Sequence, residues 1–476
     1  MTTIGEQRTE TDSIGDVVLG GDVVHGIQTA RALENFTITG VPISFFPTLV
    51  TALASVKSAC ARANVEMGVL DADRGETIVA ICDEILAGRH HEHFVVDVIQ
   101  GGAGTSTNMN ANEVIANLCL ARMGHKFGEY AHMHPNDHVN RSQSTNDVYP
   151  TAIRCAILMR VDSLCVALAD LAAAFEERGV AFGGIAKVGR TQLQDAVPMS
   201  LGMEFAGFAA TVSEDIDRLR DIGRLLREVN LGGTAIGTSV NSPVGFGKLA
   251  VTHLGRITGI EFVQAANLIE ASSDLGAFVT FSGVLKRVAV KLSKICNDLR
   301  LLSSGPRAGF GEISLPAVQA GSSIMPGKVN PVIPEVVNQV AYEVIGNDLT
   351  VTMAAESGQL QLNAMEPVAA YNILESMRIL TNAIDTLTRR CVVGIEANAE
   401  RCAELLDGSL VLATVLAPHI GYDAAARIAK DAQKNGLGIR EAAQRAGLLS
   451  AEDLHRILSP EPDPVPPSEP AITPVG

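Results

Sequence analysis

The chain has 476 residues, of which 47% are hydrophobic and only 4% are aromatic, with no tryptophan. This length exceeds one ordinary core, so we expect two or three domains built from small aliphatic side chains that suit packed helices. The formal net charge of −16 argues against a nucleic acid or an anionic membrane as the natural partner. An anionic substrate would therefore need local cations and backbone donors.

The cysteines and the chain start indicate the compartment. The eight cysteines are scattered without a CxxC pair, which is typical of buried free thiols in a reducing environment. The N-terminus has no basic patch followed by an apolar run, and no apolar stretch reaches membrane-spanning length. We expect a soluble, cytoplasmic protein.

The N-terminal third mixes short elements. We predict disorder over the first dozen residues and a small hairpin over 17–24. Helical spacing predicts helices over 46–67, 76–86 and 112–123. Residues 94–99 indicate a short extended run into Gly101-Gly102-Ala103-Gly104, whose glycine spacing is only a weak nucleotide-binding signal.

Very long helical patterns follow, over 145–178, 203–230, 265–302, 333–353 and 366–390. The third would be about 55–60 Å long at 1.5 Å per residue, and helices of this length require partners along a bundle. Shorter helices are predicted over 423–435, 439–446 and 451–458. The domain boundaries predicted are 1–143, 144–395 and 396–460, followed by a proline-rich, disordered tail over 461–476.

The segment from Gly321 to Pro331 is the most informative of the chain. It reads Gly-Ser-Ser-Ile-Met-Pro-Gly-Lys-Val-Asn-Pro, with glycines and prolines that exclude a continuous helix. Hydroxyl, ammonium and amide groups lie within a short span, which favours a site loop. The alternative is a surface turn whose polar side chains cap helices.

The order of residues in this loop resembles the signature of the aspartase/fumarase superfamily. Four other blocks carry the same resemblance, at 26–36, 102–110, 134–147 and 189–195, and it extends over about residues 26–460. It implies a mainly α, three-domain fold whose central long-helix bundle assembles into a homotetramer with a core of twenty helices. Each site would draw loops from three subunits, and no cofactor is implied.

The implied reaction is the elimination of ammonia from L-aspartate to give fumarate. A base removes a proton from C3, and the resulting aci-carboxylate places two negative charges on one group. Such an intermediate needs preorganised donors in a water-poor site. The hydroxyl residues whose positions match the family's β-carboxylate pocket are Thr105, Ser144, Thr145 and Ser323.

The resemblance assigns the base to Ser322. A serine hydroxyl is a very weak acid, so backbone donors and a nearby cation must stabilise its alkoxide. Without the family pattern, we would predict that the Ser322 side chain only forms a hydrogen bond with the backbone. Lys328 matches the ligand of the α-carboxylate, with Asn330 beside it. The other positions that match contacts to the α-carboxylate and amino group are Asn146, Thr191 and Gln192.

Several choices inside the superfamily stay open. Fumarases and some aspartases carry histidine where this chain has Gln192, and the remaining aspartases carry glutamine. Residues 332–340 and 358–367 also resemble aspartase, so an aspartase is the first prediction and a class II fumarase the alternative. Val24 and His25 stand where relatives usually have two tyrosines, which leaves room for a substituted aspartate. A silent scaffold is a further alternative, against which the intact site set argues.

Three smaller expectations concern binding and motion. We expect no metal site, because the adjacent residues of the run His90 to His93 rarely converge on one ion. His134 lies where fumarases form a second, non-catalytic anion site, so weak anion binding is possible there. Gly321 and Gly327 are predicted hinges that let the loop close over substrate.

Overall fold

The computed structural model describes residues 7–321 and 323–458. These fall into two compact units. The first comprises the described residues up to 165, with 217–287 and 342–380; the second comprises 166–216, 288–341 and 381–458. The predicted boundaries at residues 143, 395 and 460 stay a prediction, and the predicted tail over 461–476 lies outside the described residues.

The chain enters the first unit through an antiparallel hairpin of β1 (Gln7–Asp12) and β2 (Gly15–Gly20). The prediction of disorder is therefore wrong from Gln7 onward, and the hairpin lies earlier than 17–24. The physical reason is tertiary, since the Arg8 guanidinium donates to three carbonyls that follow in the chain. These are the carbonyls of Gly20, Val23 and His25, at 2.9, 2.7 and 2.6 Å.

Four helices follow in this unit: α1 (Ile27–Asn35), α2 (Pro47–Glu66), α3 (Ala72–Leu86) and α4 (Thr105–Arg122). Helix α2 begins with a proline at its first position, and Asp71 caps α3 by accepting from the Arg74 amide. Helix α4 starts seven residues before its predicted start. Residues 94–99 contain no strand and contribute one isolated bridge, between Asp97 and Pro42.

The long helices are α5 (Thr145–Ala181), α6 (Leu201–Gly223), α8 (Gly276–Leu302), α9 (Val332–Glu356) and α10 (Glu366–Arg390), with the shorter α7 (Phe246–Thr258) between them. Two predictions were too long, since α6 ends before 230 and α8 begins after 265. Helix α8 is about 40 Å long at 1.5 Å per residue. Before it, Asn267 Oδ1 accepts from the Ile269 and Glu270 amides, a local turn that competes with helix formation.

The second unit contains a hairpin that the periodicity did not predict, β3 (Ala186–Thr191) with β4 (Gln194–Ser200). Short pairs join β5 (Glu228–Val229) to β6 (Val263–Gln264) in the first unit and β7 (Ile313–Ser314) to β8 (Glu396–Ala397) in the second. The chain's last described helices are α11 (Ala399–Gly408), α12 (Leu412–Ile420), α13 (Tyr422–Asn435), α14 (Ile439–Ala446) and α15 (Ala451–Leu458).

These last helices share an apolar core that includes Leu412, Leu416 and Ile439. All eight cysteines are buried free thiols, as predicted. Within residues 7–321 and 323–458, no single helix has the length and apolar character to cross a membrane. One bent pair, α11 with α12, passes by length and composition.

Candidate active site

The turn before α4 fixes the position of Thr105. Three successive residues have positive φ, Gly102 at 90°, Ala103 at 53° and Gly104 at 86°. A side chain at Gly104 would place its Cβ 2.2 Å from the Tyr149 ring, so the close approach requires glycine there. Thr105 Oγ1 donates to the Gly102 carbonyl at 2.7 Å. The turn thereby presents Thr105 as the exposed first residue of α4.

The start of α5 is held by a reciprocal cap. The Asn146 amide donates to Ser144 Oγ at 3.3 Å, and the Ser144 amide donates to Asp147 Oδ1 at 2.9 Å. The second oxygen of Asp147 accepts from the amides of Gly232 and Thr234, both at 3.0 Å. Burial raises the pKa of Asp147 to about 6, against these hydrogen bonds. This carboxyl group therefore ties the helix start to a glycine-rich loop.

Asn146 is oriented on both its side chain and its backbone. Its Nδ2 donates to the Ala235 carbonyl at 2.8 Å, which leaves Oδ1 as the acceptor of that amide. Pro150 lies inside α5 and has no N–H to bond the Asn146 carbonyl. Asn230 Nδ2 donates to that carbonyl instead, at 2.8 Å. Asn146, which was predicted to contact the α-carboxylate or the amino group, is thus held from two directions.

A buried lysine lies behind these residues. Lys57 Nζ donates to the side-chain oxygens of Asn108, Asn140 and Gln143 at 2.7, 2.8 and 2.9 Å. Burial lowers the pKa of Lys57 to about 8. Asn108 Nδ2 in turn donates to Thr145 Oγ1 at 3.1 Å. Because Thr145 Oγ1 accepts this bond, its own proton remains available for a substrate oxygen.

Thr191 and Gln192 lie at the tip of the β3–β4 hairpin. Thr191 pairs with Gln194, and the two residues between them, Gln192 and Leu193, have φ of 55° and 61°. Positive φ at both central positions defines a type I′ turn, which asparagine and glycine normally occupy. Non-glycine residues in this region are strained, and such strain concentrates at functional sites.

An ion cluster fixes the base of this hairpin. Lys187 Nζ lies 2.5 Å from Glu204 Oε2 and 2.7 Å from Glu312 Oε2, and Arg190 Nη1 lies 2.8 Å from Glu312 Oε1. The Arg190 guanidinium also packs over the Phe310 ring, 4.2 Å from its centroid. Lys187 and Glu312 are almost wholly buried, so the pairing compensates for lost hydration. The tip residues are therefore carried on a rigid support.

The signature loop closes on itself at its neck. The Gly321 amide donates to the Lys328 carbonyl at 2.9 Å, and Asn330 Nδ2 donates to the Gly321 carbonyl at 3.0 Å. A Cβ at Gly321 would lie 2.3 Å from the Lys328 carbonyl oxygen, so the neck needs glycine. Ser323 and Lys328 are exposed beyond the neck. Ser322, the predicted base, lies outside the described residues.

The predicted residues thus form four groups by element. Ser144, Thr145 and Asn146 share the start of α5, and Thr105 starts α4. Thr191 and Gln192 share the hairpin tip, and Ser323, Lys328 and Asn330 share the signature loop. Buried side chains hold several of these residues in place.

The buried side chains that hold the candidate residues were not predicted from the sequence. They include Lys57, Asn108, Asp147 and Asn230. Two signals existed, a lysine inside the apolar pattern of α2 and the capping-box spacing from Ser144 to Asp147.

The two residues that depart from relatives lie in the segment before α1. Val24 is buried, and its carbonyl accepts from Asn117 Nδ2 at 2.7 Å. The His25 carbonyl accepts from Arg8, and burial lowers the pKa of the His25 imidazole. Both backbones are therefore structurally anchored.

Comparison with known proteins identifies the class. Residues 16–346 match the family model described as lyase, and residues 412–462 match that of the fumarase C C-terminus. The chain belongs to this lyase family, the aspartase/fumarase superfamily, and the predicted family and mainly helical fold are confirmed. It is a carbon–nitrogen lyase by its similarity to the relatives that follow.

Aspartate ammonia-lyases are similar over almost the full chain. The protein of that name from Pseudomonas aeruginosa is 58% identical, covering 97% of this chain and 98% of its own. Those from Helicobacter pylori and Escherichia coli K12 are 54% and 51% identical, each over 95% of this chain and over 97% and 95% of their own.

Solved structures agree in fold. The fumarate lyase:delta crystallin from Brucella melitensis bound to cobalt has a TM-score of 0.93 at 58% identity, covering 95% of this chain and 98% of that one. The recombinant class II fumarase from Schistosoma mansoni has a TM-score of 0.89 at 34% identity, covering 96% and 99%. The chain thus shares its fold with both solved structures, and its sequence identity is higher with the protein from Brucella melitensis.

Proposed function

We propose that the chain is an aspartate ammonia-lyase that converts L-aspartate reversibly to fumarate and ammonia. The observation that carries the proposal is the contrast in identity. Relatives with that name are 51–58% identical, whereas the class II fumarase is 34% identical. The described candidate residues support the same chemistry, because they supply hydroxyl and amide donors and one cation for a substrate with two carboxylates.

The reaction begins with proton transfer from C3 to Ser322. The electron pair of the C3–H bond enters the β-carboxylate, which becomes the aci-carboxylate. The hydroxyl groups of Ser144 and Thr145 then stabilise the added charge without moving, because the start of α5 is preorganised by Asp147 and Asn108. Ser323 and Thr105 have the same role, and the Thr105 hydroxyl turns from the Gly102 carbonyl to the substrate.

The electron pair then forms the C2–C3 double bond, and the C2–N bond breaks. The substrate's ammonium group leaves as ammonia with the electrons of that bond. Water takes the C3 proton from Ser322 and supplies the proton that converts ammonia to ammonium. Asn146 Oδ1 is the acceptor that orients the amino group, since its Nδ2 is already bonded to Ala235. Lys328 binds the α-carboxylate, with contacts from Thr191, Gln192 and Asn330.

We further propose a homotetramer in which each site draws loops from three subunits. Helix α9 supports self-association by its exposed apolar side chains. Tyr342 is 61% exposed, Leu349 63% and Met353 57%, and Ile345 lies between them. These positions recur at the three- and four-residue spacing of one helix face, which a soluble chain covers with another helix.

The kind of partner follows from the same proposal. The partner is a small-molecule dicarboxylate and not a nucleic acid or a membrane. The cytoplasmic location inferred from the sequence stays a prediction.

The test measures the ultraviolet absorbance of fumarate after the purified full chain is added to L-aspartate. Parallel reactions contain L-malate, or an aspartate substituted at C3 or on nitrogen. A rise with aspartate, and much less with the others, is expected. A rise with malate alone would make the protein a fumarase. A rise only with a substituted aspartate would leave the elimination intact and change the substrate, and silence in every reaction would favour the scaffold.

A further inference from the structure

The turn between α3 and α4 gathers three metal-binding side chains. His90, Glu92 and His93 each offer a ligand atom, and these atoms lie within 4.8 Å of one another. The centroids of the two imidazole rings are 6.3 Å apart. The sequence had predicted a solvated turn, because adjacent residues seldom converge. Here the one-turn helix His91–His93 folds the segment back on itself.

The backbone of this turn is fixed before any ligand binds. His90 has a φ of 67°, a left-handed conformation that a non-glycine residue adopts only under constraint. Asn110 clamps the other end, since its Nδ2 donates to the His93 carbonyl at 3.0 Å and its Oδ1 accepts from the Val95 amide at 2.9 Å. The His91 ring is turned away, with Nε2 2.9 Å from the Ile85 carbonyl.

A carboxylate behind His90 orients its ring. His90 Nε2 lies 2.8 Å from Glu84 Oε2. When the Glu84 carboxylate accepts the Nε2 proton, the Nδ1 lone pair of His90 is left free. Metal-binding histidines characteristically donate their second nitrogen to a carboxylate in this way.

We propose that His90, Glu92 and His93 bind one divalent ion of the zinc or cobalt class. Two imidazole nitrogens and one carboxylate oxygen suit these borderline ions, whereas magnesium and calcium prefer oxygen ligands alone. Water would complete the coordination. Glu92 is 70% exposed and is free to rotate, so the three ligand atoms can contract onto one ion.

Two arginines beside the turn are already paired with a carboxylate. The arginines nearest to the turn are engaged by Glu84, at 3.4 Å for Arg89 and 3.1 Å for Arg122.

The chain contains a matched comparison in a second cluster, His125, Glu129 and His132. Its ligand atoms also lie within 4.8 Å of one another. Its two rings, however, are stacked 3.8 Å apart at an interplanar angle of 9°, whereas the His90 and His93 rings are 6.3 Å apart at 21°. Rings in face-to-face contact at 3.8 Å have no shared in-plane point for an ion, so binding there would first have to break the stack. This cluster is the control.

The ion would brace the segment that leads to Thr105. Asn110 joins the turn to α4, and Thr105 is the first residue of that helix. Binding to the folded chain alone raises its stability by mass action. The proposed role is thus to stabilise the turn, and the ion takes no part in the elimination.

The test is titration of the chelator-treated, untagged full chain with Co²⁺, followed by visible absorption bands, and with Zn²⁺ by calorimetry. The wild type is expected to bind one ion per chain. The double variant His90→Asn, His93→Gln should weaken binding at least 100-fold, while His125→Asn, His132→Gln should bind as the wild type does. Equal binding by both variants, or loss only in the second, would overturn the proposal, as would no binding by the wild type.

A milder variant keeps the proposal testable if the double variant misfolds. Glu84→Gln keeps both ligand histidines and should weaken binding about 10–100-fold, the effect typical of such supporting carboxylates. Circular dichroism checks each fold. Zn²⁺ should raise the melting temperature of the wild type and of the His125→Asn, His132→Gln control. An unchanged affinity in Glu84→Gln would remove Glu84 from the proposed site.

Discussion

At the scale of the residue, Lys57 illustrates how a buried charge serves a site that it does not enter. Its hydrogen-bond partners are three neutral side-chain amides. Its folded pKa of about 8 lies below the unfolded value of 10.5, so its contribution to stability is present above pH 10.5 and is lost as pH falls through 8. At neutral pH the charged lysine therefore costs stability and orients Asn108 toward Thr145.

Replacing Lys57 by methionine tests this role. Each amide oxygen left buried and unsatisfied should cost about 1–3 kcal/mol of the free energy of unfolding. Thr145 would lose the orientation that Asn108 provides, so kcat/KM should fall by at least tenfold. Urea unfolding and steady-state kinetics measure the two effects. Lys294→Met, at an exposed lysine paired with Asp298, should leave both nearly unchanged.

Glu366 provides the pH-dependent prediction. Its Oε2 is buried without a hydrogen-bond partner among the described residues. Burial raises its pKa from 4.5 to about 8, although the charge of Arg154 opposes the shift. Its contribution to stability is therefore full below pH 4.5 and is lost as pH rises through 8.

Glu366→Gln should remove that loss, because glutamine stays neutral. The melting temperature of the variant should match the wild type at acidic pH and exceed it by several degrees above pH 8. Thermal unfolding across the pH range measures the difference. Glu261→Gln, at a carboxylate 93% exposed, should change the melting temperature little. A flat difference for Glu366→Gln would place its pKa in the ordinary range.

Ser322 carries the prediction for the base. Ser322→Ala should lower kcat by at least 1000-fold, on the order expected for loss of an essential base, with little change in substrate binding. Ser323→Ala should lower kcat less, since it removes one donor among several. Single-turnover kinetics and equilibrium binding of a substrate analogue separate the effects. A near-normal kcat in Ser322→Ala would remove serine from this role.

At the scale of the element, the signature loop depends on its neck. Gly321→Ala would force a Cβ within 2.3 Å of the Lys328 carbonyl oxygen, so the hydrogen bonds at the neck must break. We expect kcat/KM to fall at least tenfold, with little change in melting temperature because the loop beyond is exposed. Gly408→Ala, which meets open space at the end of α11, should change neither. Wild-type activity in Gly321→Ala would show that neck geometry is unimportant.

Elements differed in how well their sequence predicted them. The bounds of α10, α14 and α15 were predicted to the residue, because periodic apolar spacing is a local property. The β3–β4 hairpin was missed, since its turn at Gln192 and Leu193 lacks the glycine or asparagine that signals a type I′ turn. The ion cluster at its base stabilises that turn, and its members are far apart in sequence.

At the scale of the whole molecule, the exposed apolar face of α9 is a surface that a single chain leaves in contact with water. Leu349→Asp would place a charge in the proposed helix bundle, so the tetramer should dissociate and activity should fall at least tenfold. Light scattering coupled to size-exclusion chromatography measures the mass. Leu448→Asp, at a leucine 51% exposed between α14 and α15, should remain tetrameric and active. A Leu349→Asp variant that stays tetrameric would exclude this face.

The sequence by itself determined the long helices, the buried thiols, the family and the identity of the candidate side chains. These follow from local periodicity and from the order of residues in short motifs. Only the tertiary structure decided what holds those side chains, because Lys57 meets Gln143 across 86 positions and Asp147 meets Gly232 across 85. Hydrogen bonds over such separations form only after the helices pack. Neither local periodicity nor the order of residues in a short motif specifies them.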